Sequence, residues 1–446
     1  MGLRHKLLSS GTIITVGFAL TIFIGAVLLM MPFSSTTGEW TPFLDALFTA
    51  TSATCVTGLV VYDTVTHWSM IGQLIILILI QIGGMGVVTM ALAVIIISGK
   101  KIGLKQRLVM QDSISAPQLG GVIKLTGFIV RGTILIESLG AILLFTRFYP
   151  DFGLLKGLWY SVFHSVSAFC NAGFDLMGIN APFSSLTAYS ADWVVNITIM
   201  LLIIIGGIGF FVWHDIKDNG LRFKYYSLHT KLVLITTAIL LLLAFMYFYF
   251  IEFSRDVWND GSTNRFIAAA FQSVTPRTAG FNTVDLTLLT EVSVFVTIIL
   301  MLIGGSPGST AGGFKTTTVA SMFLCIRSIF ENRSNIECFG RRLPVEILRR
   351  GVAVFLMYIM LFLLCGFTIC LLDNVPLITA LFESASAVGT VGLTLGITPS
   401  LCSVSHIFLI LLMFFGRVGG LTMIFVFGAK MTPEVSRLPQ ESITIG

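Results

Sequence analysis

Thr54-Cys55-Val56-Thr57-Gly58 is the stretch around which the rest of this 446-residue chain is arranged. Similar pentapeptides return three times, each after a short apolar segment and before a long one. They are Phe169-Cys170-Asn171-Ala172-Gly173, Pro276-Arg277-Thr278-Ala279-Gly280 and Val388-Gly389-Thr390-Val391-Gly392. Successive final glycines are 115, 107 and 112 residues apart, a spacing typical of an internally repeated chain. We call these stretches motifs 1 to 4.

A second set of glycines keeps step with the motifs. These second markers are Gly83-Gly84-Met85-Gly86, Gly206-Gly207-Ile208-Gly209, Gly304-Gly305-Ser306-Pro307 and Gly416-Arg417-Val418-Gly419. They follow the final motif glycines by 25, 33, 24 and 24 residues. Two markers in one register indicate a single unit used four times.

The composition indicates a membrane protein. The chain is 55% hydrophobic and 11% charged, whereas an ordinary soluble domain has roughly 25% charged residues. Apolar runs of spanning length, about 20 residues each, lie near 11–31, 72–97, 125–146, 193–213, 232–251, 292–330, 352–372 and 404–427, the sixth with a break after 303. We therefore predict an all-α polytopic membrane protein with eight transmembrane helices, two for each repeat.

The repeats divide the chain. Repeat 1 is predicted at 1–97, repeat 2 at 125–215, repeat 3 at 232–330 and repeat 4 at 351–428. Cytoplasmic loops are predicted at 98–124, 216–231 and 331–350, and a C-terminal tail at 429–446. With both termini inside, 19 of the 27 basic residues fall on the inner side. This bias is typical of cytoplasmic loops, so both termini are predicted to be cytoplasmic.

The segments before the motifs are too short to span a bilayer. They cover 41–53, 154–168, 264–275 and 375–387, and we predict re-entrant pore helices there, around one central pore. Non-helical backbone at membrane depth is tolerated where it lines a wet cavity. Four sets of motif carbonyls around one axis would replace the hydration shell of a monovalent cation. The alternative is four tight turns without a function.

The second helix of repeat 3 is interrupted by a glycine-rich stretch. Gly304-Gly305-Ser306-Pro307-Gly308-Ser309-Thr310-Ala311-Gly312-Gly313 cannot continue a helix, which resumes after Lys315. We call this segment the 304–313 loop and predict that it is a mobile plug below the motifs. We also predict that the second helix is broken in repeat 3 and in no other repeat. A passive kink is one alternative. A phosphate-binding loop is another, but Phe314 separates glycine from lysine and no strand precedes it.

Charges inside the apolar runs are rare. Arg417 stands where the other second markers have glycine, and we predict a fixed positive charge on the pore axis below the motifs. Arg131 and Glu137 also lie in a span, where ion pairing with neighbours is predicted. The cysteines show no CxxC spacing and the histidines form no ligand pair, so no metal site of side chains is expected.

Together, the four units, the CVTGL, CNAGF, RTAGF and GTVGL series, the broken helix and Arg417 resemble the Trk/Ktr/HKT superfamily of potassium transporters. The resemblance covers essentially the whole chain, and the length suits the KtrB-type membrane subunit of bacteria. It implies potassium uptake, with motifs 1 to 4 as the selectivity filter. It also implies that the 304–313 loop, Lys315 and Arg417 form the gate.

The resemblance further implies a homodimer in the bacterial plasma membrane, gated by a cytosolic ring of RCK domains that binds adenine nucleotide. Within this chain we expect no cofactor, no nucleic-acid partner and no catalytic cluster, with potassium as substrate and the lipid bilayer as surroundings. The alternative class is a sodium- or proton-coupled cation symporter with a midplane site. The sequence leaves sodium dependence open.

Overall fold

The structure is a computed structural model that describes residues 10–87, 89–90, 122–179, 181–258 and 264–419. The predictions for the extreme N-terminus, for nearly all of the 98–124 loop and for the 429–446 tail lie outside these residues. So do the last part of the 72–97 run and the end of repeat 4 after residue 419.

The described chain is mainly helical. Its α-helices are α1 Ser10–Met30, α2 Phe43–Thr54, α3 Thr64–His67, α4 Met70–Met85, α5 Val122–Phe169, α6 Trp193–Gly207, α7 Phe210–Asn219, α8 Leu228–Tyr247, α9 Arg265–Val274, α10 Glu291–Leu302, α11 Thr316–Phe330, α12 Val345–Asp373, α13 Leu377–Gly389 and α14 Ser403–Val418. A π-helical turn, Phe248–Glu252, continues α8. Short 3-10 helices are Pro32–Ser34, Thr187–Tyr189, Phe223–Tyr225, Asp256–Trp258, Leu286–Leu288 and Thr398–Ser400.

A β-hairpin in the predicted 331–350 loop is an exception within the mainly helical described chain. Strands β1 Ile336–Cys338 and β2 Arg341–Leu343 pair antiparallel. Phe339 and Gly340 between them have φ of 50° and 69°. Two central residues with positive φ form the turn whose twist suits a two-residue hairpin. The aromatic ring of Phe339 then packs edge-on against Phe223.

The described residues contain fewer long helices than the eight predicted spans. In the described ranges, α1, α5, α8 and α12 are long and apolar enough to cross a membrane. Helices α6 and α7 provide a fifth such segment if they are counted together, although they are bent by 92°. Helices α4, α10 and α14 are apolar but have only 16, 12 and 16 residues.

The second helix of every repeat ends at its second marker, so the prediction of a break in repeat 3 alone was wrong. Gly86, Gly209 and Gly419 have φ of 86°, 98° and 89°. A positive φ ends a right-handed helix, and glycine adopts it without steric cost. In repeat 3 the equivalent position is Pro307, and the chain leaves the helix for much longer.

Short helices lie at the four positions predicted for pore helices. They are α2, α9, α13 and the last part of α5. Helix α5 is two helices joined at Gly153, whose φ of 73° and ψ of −174° are not helical. Pro42 and Pro376 stand immediately before the first residues of α2 and α13. Asn264 caps α9, because its side chain accepts hydrogen bonds from two backbone N–H groups of the first turn.

Two apolar cores meet at the motifs. One core joins α1, α2, α4, α5 and α6 and includes Val56 and Cys170. The other joins α8 to α10 with α12, α13 and α14, and it includes Cys55 and Val391. The motifs are therefore enclosed by protein on both sides, as buried non-helical backbone requires.

The glycines of the second markers permit close helix packing. A methyl group on Gly206 would overlap the carbonyl oxygen of Phe169 and lie 2.9 Å from the Thr310 hydroxyl. Equivalent groups on Gly83 and Gly416 would overlap the carbonyls of Thr54 and Val388. The second helix of repeats 1, 2 and 4 therefore packs against the end of its own pore helix.

We expect Gly206→Ala to destabilise the folded protein by about 1–3 kcal/mol, because the new methyl group must displace backbone. Thermal unfolding in detergent measures this loss. The matched control is Gly127→Ala on α5, where a methyl group would meet nothing within 4 Å. The control should be neutral or stabilising, since alanine is the better helix former. Equal melting temperatures for the two variants would contradict the packing described.

Candidate functional site

The final glycines of the four motifs form a closed ring. A Cβ built on Gly58 would lie 3.1 Å from the Cα of Gly173, and one on Gly173 would lie 2.9 Å from the Cα of Gly280. The corresponding distances are 3.2 Å from Gly280 to Gly392 and 2.9 Å from Gly392 to Gly58. Each glycine thus faces the next one, in chain order. We call this set the glycine ring; in it, motifs 1 and 3 are opposite each other, as are motifs 2 and 4.

The four motifs share one backbone conformation. The final glycines have φ between 70° and 96°. The third residues, Val56, Asn171, Thr278 and Thr390, also have positive φ, between 51° and 64°. Such values are uncommon outside glycine, above all for a β-branched residue. Their recurrence at the same motif position indicates that a common geometry is imposed on four different sequences.

Hydroxyl groups at the ends of the short helices before the motifs hold the motifs in place. In motif 1 the N–H of Gly58 donates to Ser52 Oγ at 3.0 Å. In motif 4 the N–H of Gly392 donates to Ser386 Oγ at 2.9 Å. The two serines occupy equivalent positions, six residues before the glycine. The sequence shows these hydroxyls as a feature of the helix ends but not their individual roles.

Motifs 2 and 3 are held by hydroxyls in a different way. Ser167 Oγ donates to the carbonyl oxygen of Phe174 at 2.7 Å. Thr275 Oγ1 donates to the carbonyl oxygen of Phe281 at 2.5 Å. The anchor in these two repeats is therefore the residue that follows the glycine.

The motif side chains differ in where they lie. Thr54, Thr57 and Thr390 have buried hydroxyl oxygens with no hydrogen-bond partner among the described residues. Arg277 is the one charged residue in the motifs, and it is 7% exposed. Its Nη2 donates to Thr237 Oγ1 on α8 at 3.4 Å. The Arg277 side chain therefore lies between helices and outside the glycine ring. The sequence did not predict this position.

The 304–313 loop closes on itself at its base. The N–H of Gly304 donates to the Phe314 carbonyl at 2.9 Å, and the N–H of Thr316 donates to the Gly305 carbonyl at 3.2 Å. The hydroxyls of Ser306 and Thr316 are 2.9 Å apart. Thr316 therefore helps to hold the loop.

Repeat 2 holds the tip of the loop. The N–H groups of Ser306 and Thr310 donate to the carbonyls of Gly207 and Gly206 at 3.0 and 3.3 Å. In return, the N–H of Phe210 at the start of α7 donates to the Gly308 carbonyl at 2.7 Å. The break between α6 and α7 exposes the backbone groups that make these contacts.

The loop crosses below the glycine ring from motif 2 to motif 4. Thr310 Oγ1 is 3.1 Å from both the Phe169 carbonyl oxygen and the Asn171 Oδ1. At the other end of the loop, Gly312 packs against the Thr390 side chain, and a Cβ on Gly313 would lie 3.2 Å from the Gly389 carbonyl oxygen. Because motifs 2 and 4 are opposite each other, the segment between these contacts lies below the centre of the ring.

Arg417 ties the loop to repeat 1. Its guanidinium donates to the carbonyl oxygens of Thr310 and Gly83, and also to that of Gly84 at 2.9 Å. These bonds join α14, the loop and the end of α4, and so three of the four repeats. The predicted fixed charge below the motifs is accordingly bonded to the predicted gate.

Lys315 bonds to the loop that precedes it. Its Nζ donates to the carbonyl oxygens of Ala311 and Gly312 at 2.8 and 3.1 Å. These hydrogen bonds favour a structural role for Lys315 over phosphate binding.

On the side of the loop away from the ring lies a cavity of about 460 Å³, whose lining includes Phe314, Lys315, Arg350 and Arg417.

Among the described residues, no ion pair includes Glu137 or Arg131, although ion pairing was predicted for both. The Glu137 carboxylate accepts from Gln81 Nε2 at 3.3 Å, and the Cys170 thiol is 3.9 Å from its other oxygen. Both partners are neutral. Arg131, six residues earlier on α5, is exposed. Burial of Glu137 against motif 2 is a tertiary feature that the sequence did not reveal.

Comparison with known proteins places this arrangement in a family. The TrkH family model, described as a cation transport protein, matches residues 10–437. The chain belongs to the TrkH family. This is a family of transporters, and with its apolar helices the TrkH-family chain is a multi-pass membrane protein.

Full-length relatives of this TrkH-family chain are named as potassium transporters. It is 40% identical to the Ktr system potassium uptake protein B of Bacillus subtilis, over 97% of this chain and 96% of that protein. It is 39% identical to the potassium/sodium uptake protein NtpJ of Enterococcus hirae, over 99% of this chain and 98% of that protein.

A solved structure has the same fold. The crystal structure of the potassium transporter TrkH from Vibrio parahaemolyticus superimposes with a TM-score of 0.73. The match covers 98% of this chain and 88% of that one, at 20% sequence identity. At this identity the likeness concerns the fold.

Proposed function

We propose that this chain carries potassium across the plasma membrane of a bacterium, through the glycine ring, as the ion-translocating subunit of a Ktr-type system. The closed ring of four motifs with one backbone conformation is the observation that carries the proposal. Rings of backbone carbonyls replace the hydration shell of potassium in channels. The unpartnered hydroxyls of Thr54, Thr57 and Thr390 supply further oxygen ligands in the motifs.

The proposed membrane arrangement has eight spans and four re-entrant pore helices around one pore, with both termini in the cytoplasm. In this arrangement α4, α6, α10 and α14 each belong to the second span of a repeat, and in repeat 2 the chain bends by 92° after α6. The pore helices then end inside the membrane. Their negative C-terminal ends face the ring and favour a cation there.

The proposed gate is the 304–313 loop. Its path below the ring, between opposite motifs, supports this role, and Arg417 and Lys315 hold it in the closed position. The loop is buried except at Pro307, Gly308 and Ser309 and is bonded at both ends, so opening requires that several hydrogen bonds break together. Such a segment is suited to a two-state switch.

Flux measurements on purified protein in liposomes test the proposed function. We expect saturable potassium entry that follows the membrane potential and needs no sodium gradient. Because one relative is named a potassium/sodium uptake protein, sodium flux is measured in parallel. Entry that requires a sodium or proton gradient would favour the symporter alternative, and the lack of any potassium flux would overturn the proposal.

The proposed partner is a cytosolic ring of RCK domains that binds adenine nucleotide and acts on a homodimer of this chain. The name of the Bacillus subtilis relative, a Ktr system protein, supports a multi-component system. The surface proposed for docking is basic and exposed: Arg341 and Arg342 on β2, and Arg349 and Arg350 near the start of α12.

Reversing these four charges to glutamate should reduce recovery of the RCK partner in pull-downs at low salt by about tenfold or more. Wild-type recovery should itself fall as salt rises, since exposed charges are screened. The control is Lys156→Glu, an exposed basic residue on the side proposed to face outward. Recovery that is unchanged by the reversal at every salt concentration would exclude this surface.

A further inference from the structure

Glu137 is a buried acid that has no basic partner among the described residues. It lies within the first part of α5 and is 8% exposed. None of the ion pairs between described residues includes it. An ionised carboxylate in the interior is costly unless something compensates it, and ionisable residues inside spans commonly mark ion or proton paths.

The carboxyl group of Glu137 lies directly behind motif 2. The Cys170 thiol, 3.9 Å from Glu137 Oε1, belongs to the second residue of the motif. Ser165 Oγ donates to the backbone carbonyl of Glu137 at 2.6 Å and so ties the pore-helix part of α5 to this position. A Cβ on Gly84 would lie 2.5 Å from the Cys170 sulfur, so glycine there lets the thiol fit.

Glu137 is also linked to α4, the helix whose last carbonyls accept hydrogen bonds from Arg417. Gln81 Nε2 donates to Glu137 Oε2 at 3.3 Å, and the Cys170 thiol is 3.7 Å from Gln81 Oε1. Gln81 precedes Gly83 and Gly84, whose carbonyls accept from Arg417. An amide has both donors and an acceptor, so Gln81 is able to serve the carboxyl group with or without its proton.

The other elements packed on this part of α5 bring few charges. Helix α6 has no ionisable side chain. His164 is neutral here, because its Nδ1 is 2.7 Å from the Tyr160 carbonyl and its Nε2 accepts from the Leu176 N–H. On α7, Lys217 and His214 contact Phe128, which lies nine residues before Glu137, about 13 Å along the helix. Arg131 is exposed, and the Arg417 guanidinium donates to the carbonyl of Gly84, which packs against the Cys170 side chain.

We propose that Glu137 is a titratable residue that sets the affinity of the glycine ring for potassium. When it is ionised, its charge attracts the cation; when it takes up a proton, the attraction is lost and binding weakens. By linkage, a bound potassium ion must favour the ionised form to the same degree. This inference rests on the proposed potassium pathway. It identifies Glu137 as a positioning and affinity-determining residue that does not itself touch the ion.

The size of the effect follows from the separation of the charges. Cys170 and Gly173 are three positions apart in the chain, which places the carboxylate on the order of 10 Å from an ion in the ring. At an effective dielectric constant of about 20, a unit charge at that distance changes ion binding by roughly tenfold. Protonation of Glu137 should therefore raise the KM for potassium by about this factor.

The test measures potassium flux against concentration in liposomes, from mildly acidic to mildly alkaline pH, for the wild type, Glu137→Gln and Glu252→Gln. The wild-type KM should rise about tenfold toward acidic pH. The Glu137→Gln variant should keep the high KM at every pH, with an unchanged maximal rate. A Glu137→Gln variant that retains the wild-type KM and its pH dependence overturns the inference.

Glu252 is the matched control. It is fully buried but bonds to Arg255 at 2.6 Å and to the hydroxyls of Thr290 and Ser293. Its replacement should lower thermal stability and leave the pH dependence of the KM unchanged. Equal loss of pH dependence in both variants would mean that a general effect of removing buried acids is responsible, against the proposal.

Two further outcomes are separated by the design. A wild type with no saturable potassium flux contradicts the proposed function itself, whereas a wild type with flux whose KM ignores pH contradicts only the role of Glu137. Should Glu137→Gln fail to assemble, Gln81→Leu takes its place. Losing the amide beside the carboxyl group should shift the KM titration along the pH axis, and an unshifted curve overturns the inference.

Discussion

Replacing Arg417 with alanine is expected to raise potassium flux by about ten- to a hundredfold in liposomes that lack the cytosolic partner. The guanidinium donates to the carbonyls of Thr310, Gly83 and Gly84, and so it fastens the loop to α4. Hydrogen bonds from a charged donor contribute about 1.5–3 kcal/mol each. Loss of even one net bond shifts a closed–open equilibrium by about an order of magnitude.

The control for this variant is Arg350→Ala. Arg350 lines the same cavity, but no hydrogen bond joins it to the loop in the described structure. Its removal takes away a positive charge without releasing the loop, so flux in the absence of the partner should stay near the wild-type value. A rise of equal size in both variants would mean that charge in the cavity, rather than attachment of the loop, limits flux.

A shortened loop tests the same gate in another way. The base of the loop is closed by the bonds of Gly304 and Gly305 to Phe314 and Thr316, so removing residues 307–311 leaves the base intact. We expect high flux that no longer depends on the partner, with normal assembly of the protein. Flux that stays as low as in the wild type would show that the break in repeat 3 is only a kink.

Gly58→Ser is expected to reduce discrimination of potassium over sodium by at least about tenfold. Gly58 has a φ of 96°, and a Cβ there would lie 2.5 Å from the Ala172 carbonyl oxygen and 3.1 Å from the Cα of Gly173. The added atoms must push motifs 1 and 2 apart. A difference of about 1.4 kcal/mol in the relative binding of two ions is already tenfold. Paired potassium and sodium flux measurements give the ratio.

Gly396→Ser is the control that distinguishes the effect of a new contact in the glycine ring from the effect of backbone strain. Gly396 has a similar φ of 91°, but a Cβ there would meet nothing within 4 Å. Its replacement carries the strain of a positive φ without any contact in the ring, so stability should fall and selectivity should hold. If Gly58→Ser keeps the wild-type selectivity ratio, the glycine ring is not the site of selection.

The sequence alone predicted the membrane class, the four motifs, the four short helices before them and the family. Each of these has a local cause. Apolar runs are read directly from composition, and glycine recurs wherever the backbone needs a positive φ or a close approach. The contacts at Gly58 differ from those at Gly206, but both positions depend on glycine. The fourfold repeat made both positions recognisable in the sequence.

Other predictions failed where the outcome depends on a neighbour. The second helices of repeats 1, 2 and 4 were predicted to be continuous, but they end at Gly86, Gly209 and Gly419. The sequence had indicated a break in repeat 3 only. The hairpin at Ile336–Leu343, in a segment predicted as a cytoplasmic loop, depends on a two-residue turn with positive φ. Arg277 carries a charge in motif 3, but its side chain lies against Thr237 on α8.

Tertiary structure alone decided how the parts meet. It set the order of the motifs in the ring, the path of the loop from motif 2 to motif 4, the partners of Arg417 and the neutral surroundings of Glu137. These contacts join residues that are 33 to 334 positions apart, such as Cys170 with Glu137 and Arg417 with Gly83. A local pattern records which residue is small, charged or apolar; which distant atoms it contacts follows only from the packing of whole helices.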